Sequence, residues 1–325
     1  MKLLKYSAAS VCAVFLFVGG AVAAPLGTIP FIDTQFLRII LDLRSDLWRS
    51  PYSYKASPIR IINGEFRIPV AYGDSWNISA NISNESLSLS NTEFHVADRD
   101  VFIGNNLQTQ SIGLGINKTF SDSSVLMFMG AYATASDNPY AEPRDRWFEG
   151  NLVYRSKSLG SYKYILAVNQ SANRGLANDR PFPYLGVIFQ PNDNFEVHVG
   201  FPFMRILWQK ENDWRRIAHV TPFGAYFDIE KNLTDDFVYH GRAEYAIRSY
   251  LYKNRLEDET RLYFQEMSLE GGIRKELTVT TTVGLALGYA FDRRLYESRS
   301  VYEPREAKTA LDSDLYGRLR LEFNL

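Results

Sequence analysis

The final eleven residues, Leu315-Tyr316-Gly317-Arg318-Leu319-Arg320-Leu321-Glu322-Phe323-Asn324-Leu325, constrain the fold more than any other stretch. Every odd position is apolar or glycine, and the even ones hold Tyr316, Arg318, Arg320, Glu322 and Asn324. Side chains alternate across a β-strand but wind around a helix about every 3.6 residues, so this pattern makes a strand with one oily and one wet face. Such a strand needs a sheet that keeps one side out of water.

With Gly317, Leu319, Leu321, Phe323 and Leu325 along its apolar side, the segment resembles the closing strand and assembly signal of bacterial outer-membrane β-barrels. In those proteins the last place is usually Phe; here it is Leu325. The resemblance implies outer-membrane lipid and the barrel-assembly machinery as partners.

The N-terminus points to the same destination. Lys2 and Lys5 precede an apolar run from Ala8 to Gly20, and Ala21-Val22-Ala23 is a small-residue cleavage site, the layout of an export signal. A cut after Ala23 avoids placing Pro25 first in the mature chain, and Cys12 lies too deep in the apolar run for lipoprotein processing. Losing Lys2 and Lys5 takes the formal net charge from −1 to −3, and with Cys12 goes the only cysteine. Nothing is basic enough to suggest nucleic-acid binding. No other stretch approaches the run of about 18 apolar residues that a spanning helix needs. Yet the chain holds 20 Tyr and 21 Phe. Aromatic-rich but without apolar helices is the composition of a membrane barrel, in which one face of each strand meets lipid.

Strand-like runs fall at 110–119, 125–134, 147–156, 162–171, 182–190, 195–208, 214–229, 237–252, 261–274, 277–296 and 314–325. Connections at 121–124, 157–161, 191–194, 231–236 and 275–276 are short. They alternate with mostly longer ones at 135–146, 172–181, 209–213, 253–260 and 297–313. Loops sorted this way mark transmembrane barrels, whose short turns face the periplasm. An inward-running last strand then requires an odd number of strands before residue 110. One, around Glu65–Ile82, gives 12; three, using Phe36–Arg44 and Ile59–Val70 as well, give 14. The reading adopted is an all-β, antiparallel transmembrane barrel of about 12 strands over 65–325, after a signal peptide at 1–23 and an N-terminal segment at 24–64. In that segment, 31–48 suits either a first strand or an amphipathic helix.

Alternation assigns the faces. Phe195, Val197, Val199, Phe201 and Phe203 point outward, against Glu196, His198 and Gly200. Inward candidates on 237–252 are His240, Arg242, Glu244, Arg248 and Tyr250; on 261–274, Glu266, Ser268, Glu270 and Arg274; on the last strand, Arg318, Arg320 and Glu322. Arg242 and Arg248 lie near Glu266 and Glu270, where opposite charges on neighbouring strands can pair. The inner face of 277–291 is small (Thr278, Thr280, Thr282, Gly284, Ala286, Gly288, Ala290), leaving room for long neighbours to lie flat. Strands 125–134 and 182–190 are apolar on both faces, which suits an internal plug, an apolar path or an external partner. Trp208 and Trp214 bracket an outer loop and Trp147 begins a strand, places suited to an interfacial aromatic girdle.

Catalytic chemistry finds little support. His95, His198, His219 and His240 lack metal-ligand spacing, and there is neither a phosphate-cradling glycine loop nor a serine elbow. No cofactor or metal is expected. A hydrolase assembled from His198 or His240 with Ser268 is the least favoured function. The acidic runs 98–100 and 192–194 read as turn formers.

Three phrases extend the resemblance: Arg180-Pro181-Phe182-Pro183-Tyr184-Leu185-Gly186-Val187, Val199-Gly200-Phe201-Pro202, and Gly288-Tyr289-Ala290-Phe291-Asp292-Arg293. Together they resemble an uncharacterised family of bacterial outer-membrane barrels, a domain of unknown function, which implies a fold and a location but no site residues. The expected function is passive or gated passage of small solutes. Its rival is a non-conducting barrel acting through its outer loops.

Overall fold

The computed structural model describes residues 37–47, 58–89, 93–96, 99–103, 106–175, 177–210, 213–234, 236–255, 257–301 and 309–325. The signal segment and its cleavage site at Ala23 lie outside them, as does most of 24–57.

Seventeen strands share one antiparallel sheet, and the two-residue Thr309–Ala310 touches a single neighbour, which leaves sixteen in a closed ring. They are β1 Arg38–Asp46, β2 Arg60–Gly73, β3 Trp76–Ser88, β4 Asn106–Thr119, β5 Val125–Ser136, β6 Arg146–Arg155, β7 Tyr162–Gln170 and β8 Phe182–Asn192. There follow β9 Phe195–Phe201, β10 Met204–Lys210, β11 Trp214–Thr221, β12 Gly224–Asn232, β13 Phe237–Tyr250, β14 Arg261–Thr278, β15 Thr281–Ser298 and β16 Asp314–Asn324. A separate hairpin pairs Glu93–Val96 with Arg99–Phe102. Closure comes from β1 against β16, registered from Arg38↔Asn324 to Asp46↔Tyr316. Leu37 and Leu325 seal the seam with two main-chain bonds of 2.8 Å. A closed ring has no edge, so strand N–H and C=O groups are satisfied without water. Among the described residues no helix is long and apolar enough to cross a membrane.

Sixteen strands replace the expected 12, for three local reasons. Arg38–Asp46 is a strand, so the ring begins there and not at residue 65. The run Glu65–Ile82 is two strands, folded back at 74–75. The runs 195–208 and 214–229 are each a hairpin, turning at Pro202-Phe203 and Pro222-Phe223. Proline has no N–H for the ladder, so an internal proline is where a long run breaks. The odd number of strands before residue 110 stands.

These two hairpins also move a connection. The turn 211–213 lies at the end of the ring that carries both chain termini, not among the long loops, and takes Trp208 and Trp214 with it; Trp147 is at the opposite end. All connections at the termini end are short, including 279–280, four residues beyond the expected turn at 275–276. The strand ends that the long connections join (after 46, 88, 136, 170, 250 and 298) lie at the far end, as do the two tight proline turns.

Outward faces are apolar and open: Leu114, Phe128, Leu166, Leu185, Val199, Phe201, Leu269, Leu285, Leu287 and Leu319 are all exposed. Phe203 is the exception to the expected assignment, buried on the inner side because the turn at Pro202 reverses the chain.

The barrel interior as candidate functional site

The inner wall has two unlike arcs. Over β12–β16 and β1–β3 it is charged and tightly paired. Arg318 binds Asp42 at 2.6 Å and Glu270 at 2.7 Å. The Tyr316 hydroxyl donates to Glu270 at 2.9 Å. Arg44 donates to both Glu266 oxygens at 2.6 and 2.7 Å and stacks over Tyr316 at 3.7 Å. Arg293 bridges Glu266 at 2.9 Å and Asp46 at 2.7 Å. Arg38 holds Glu322 at 2.8 Å, and Arg320 lies 3.6 Å from Glu322. Arg274 takes Glu230 at 3.0 Å.

The expected pairing of Arg242 and Arg248 with Glu266 and Glu270 does not occur. Arg242 stands directly opposite Glu270 in register, yet bonds Glu244 at 2.9 Å and Asp228 at 3.4 Å. Glu270 is drawn the other way, to Arg318. Arg248 reaches across the lumen to Glu85 on β3 at 2.8 Å, and Tyr250 joins it there at 2.9 Å. Small residues on β15 permit this layering: Gly288 is the register partner of Tyr316, and a Cβ there would lie 2.5 Å from the phenol oxygen.

Sequence reading missed Asp42, Arg44, Asp46, Glu85, Asp228, Glu230 and Arg293. Asp42, Arg44 and Asp46 occupy alternate positions against Leu41 and Leu43, a signal hidden by the helix alternative. Arg293 carried no such signal. A bulge at Asp292 (φ 49°) sets two residues against one on β14, flips the alternation and turns an odd-numbered side chain inward.

The second arc, over β5–β10, carries an apolar patch among polar groups such as Glu149, Asn151, Lys163 and Asn169. Met127, Val153, Ile165, Ala167, Phe182, Tyr184, Ile188 and Phe203 form one buried cluster. The inner faces of 125–134 and 182–190 therefore both contribute to one cluster. Where this arc grades into the charged one, His198, Arg205, His219 and Tyr226 share a register row across β9–β12. His198 contacts Glu196 at 2.6 Å, and Arg205 reaches the same carboxylate at 3.2 Å. The His219 ring packs edge-on to Tyr226 at 5.1 Å.

The candidate hydrolase set is dispersed. Ser268 is five strands along the wall from His198. It sits opposite Glu244, four residues or roughly 13 Å along the strand from His240. His240 approaches Glu270 at 3.9 Å. The described residues contain no metal-ligating cluster, and His95 lies outside the described side chains. Asn192 accepts from the Asn194 N–H at 3.0 Å, as a turn former does.

At the loop end the lumen is filled. Ile61, Leu87, Leu107, Ala135, Trp147, Tyr250, Tyr252, Leu262, Phe264 and Leu295 belong to a buried apolar core drawn from opposite walls. The Leu251 N–H donates to the Ala135 carbonyl at 2.6 Å. Those residues follow or end β13 and β5, which stand eight places apart in a ring of sixteen, so the main chain itself spans the barrel. Arg255, with no exposed side-chain surface, locks the β13–β14 loop to Asp145 at 2.5 Å and to the carbonyls of Tyr252 and Arg144 at 3.0 Å.

The sequence matches no family model and no curated relative, so the family drawn from Arg180–Val187 and its companion phrases is not shown. Similar solved structures include an outer membrane channel from Pseudomonas putida F1, at 9% identity and TM-score 0.35, over 95% of this chain and 100% of that one. The Pseudomonas putida toluene transporter TodX aligns at 10% identity and TM-score 0.32, over 90% of each chain. LpxR from Salmonella typhimurium aligns at 8% identity and TM-score 0.33, over 89% of this chain and 100% of that one. Likeness this distant assigns no activity to this chain.

Proposed function

We propose that this chain is an outer-membrane β-barrel that gates the passage of small solutes, held shut in the conformation described. The membrane assignment is supported by an edgeless ring whose outward strands expose Leu, Val, Phe and Tyr, a surface that water disfavours and lipid accepts. Under this reading the termini end is periplasmic and export follows cleavage after Ala23. The intact mass of protein taken from outer membranes would show a chain beginning at Ala24.

The observation that carries gating is the bond from Leu251 to Ala135 across a ring of sixteen strands. An inert barrel needs about eight strands, because eight already leave an interior that side chains fill; about sixteen enclose a channel unless something closes it. Here loops close it, and the wall below has an apolar patch facing a charged arc, suited to solutes with both characters.

Single-channel recording on the refolded mature chain in a planar bilayer tests this. Brief, infrequent current steps are expected, lengthening when the β13–β14 loop is shortened. Silence from inserted protein with that loop removed would overturn the channel reading. A non-conducting barrel that presents its loops to partners would then stand, a reading favoured by the rigid Arg255–Asp145 lock.

A further inference from the structure

Glycine at a lipid-facing strand position is costly, because it orders flexible backbone and covers no apolar surface; it marks places where something else approaches closely. Gly241 on β13 and Gly271 on β14 are register partners, and both lie on the outward face, in the alternation of Tyr239, Ala243, Leu269 and Ile273. They floor an open surface hollow of about 440 Å³ bordered by Phe227, Ile229, Tyr239, Ala243, Leu269 and Leu287, with Arg242 and Glu270 also on its lining. That volume is in the range of small-molecule sites, though the walls are the barrel's outside. The Tyr239 hydroxyl overhangs the floor, 3.4 Å from where a Gly271 Cβ would stand.

The rim towards the termini end is cationic. Lys231, exposed and outward, is the register partner of Tyr239. One strand further, Arg216 stacks on Trp214 at 4.3 Å and Trp208 at 5.2 Å, and its Nε has no hydrogen-bond partner. Arg216 stands opposite Ile229, which stands opposite Gly241, so two strand spacings, about 10 Å, separate the Arg216 backbone from that of Gly241. Interfacial tryptophans set this level at the headgroups.

We infer that this face holds one phospholipid of the periplasmic leaflet, its phosphate between Arg216 and Lys231 and an acyl chain along the Gly241–Gly271 slot. The inference rests on the membrane reading. It commits to a lipid and not to a second copy of the chain because the cations and the slot are neighbours on one outward face. An anion with an attached hydrocarbon tail satisfies both at once.

Native mass spectrometry of the folded protein in mild detergent tests it, with phosphatidylglycerol or the matching diacylglycerol added. Phosphatidylglycerol adducts should persist on the unmodified chain and diacylglycerol adducts should not. The pair R216Q/K231Q should lower phosphatidylglycerol retention by about a hundredfold, since each lost charge-assisted contact carries about tenfold. K157Q, in an exposed turn at the same end, should leave it unchanged. G271L should abolish retention by filling the slot; if that variant fails to fold, L287W fills it from the exposed rim. Equal adducts on all variants, or a dimer cross-linked through Y239C, would overturn the lipid site while leaving the barrel in its membrane. Failure of the refolded chain to insert into vesicles would overturn the membrane reading and the lipid site together.

Discussion

Replacing Arg255 by Met keeps the length of the side chain and removes its charge, and so tests whether the loop lock holds the lumen shut. Asp145 is left 1% exposed, and its only remaining side-chain contact among the described residues is the Ser136 hydroxyl at 3.4 Å. Removing one partner of a buried ion pair costs about 3–5 kcal/mol, chiefly because the other charge stays buried and alone. If opening the loop rehydrates Asp145, that sum transfers to the closed–open equilibrium. At about 1.4 kcal/mol per decade, the open fraction should rise between about a hundredfold and three-thousandfold. Planar-bilayer recording of R255M reads this directly as open probability. The double variant R255M/D145N should return most of the way to the closed state, since no lone charge remains. A change of less than about fivefold in R255M, in protein shown to be inserted, would refute the coupling of lock to lumen. Loss of overall stability with the pore still silent would refute it too.

R293M should lower unfolding stability by about 3–5 kcal/mol in a urea titration followed by heat-modifiable gel mobility, because it strands Asp46 at 1% exposure. A loss below about 1 kcal/mol would mean the network relaxes around the gap. G175A should cost about 1 kcal/mol in the same assay, because φ at Gly175 is 80° and side chains avoid that region; an unchanged midpoint would show that the loop re-forms. At the β4–β5 turn, on the termini end, the Ser124 hydroxyl at 2.7 Å and N–H at 3.0 Å hold the Asp122 carboxyl below the usual carboxylate range. The stability this lends is present above the unfolded pKa and is lost as pH falls through the folded one. S124A should therefore raise the Asp122 pKa in an NMR titration, and no movement would count against that turn.

Alternation along β16, β13 and β14 made the strands and their faces legible, because a one-residue slip would put Arg318 or Glu266 into lipid. Strand number was less legible. Pro202, between Phe201 and Phe203, and Pro222, before Phe223, were visible, but alternation alone carried the reading through both turns. β1 was masked because Phe36, Ile40 and Leu47 also fit a helical face. The candidate site was half legible. Inward charges could be named from parity, but their partners depend on which wall comes near. Glu85 for Arg248, and Asp42 for Arg318, are choices made by ring closure. The bulge at Asp292 is a backbone event, and nothing in the neighbouring side chains announces it.

Asp42, on the first strand, meets its cations only on the last. Its carboxylate is 6% exposed and pairs with Arg318 at 2.6 Å and Arg320 at 3.9 Å, both delivered by β16. A chain that halts or is clipped before Asp314 leaves β1 with an inward anion that lacks both Arg318 and Arg320, so burying that strand would leave Asp42 without its ion pairs. The charge balance of the opening strand thus depends on the final one. Fragments would be left frayed, at the surface, where proteases can find them.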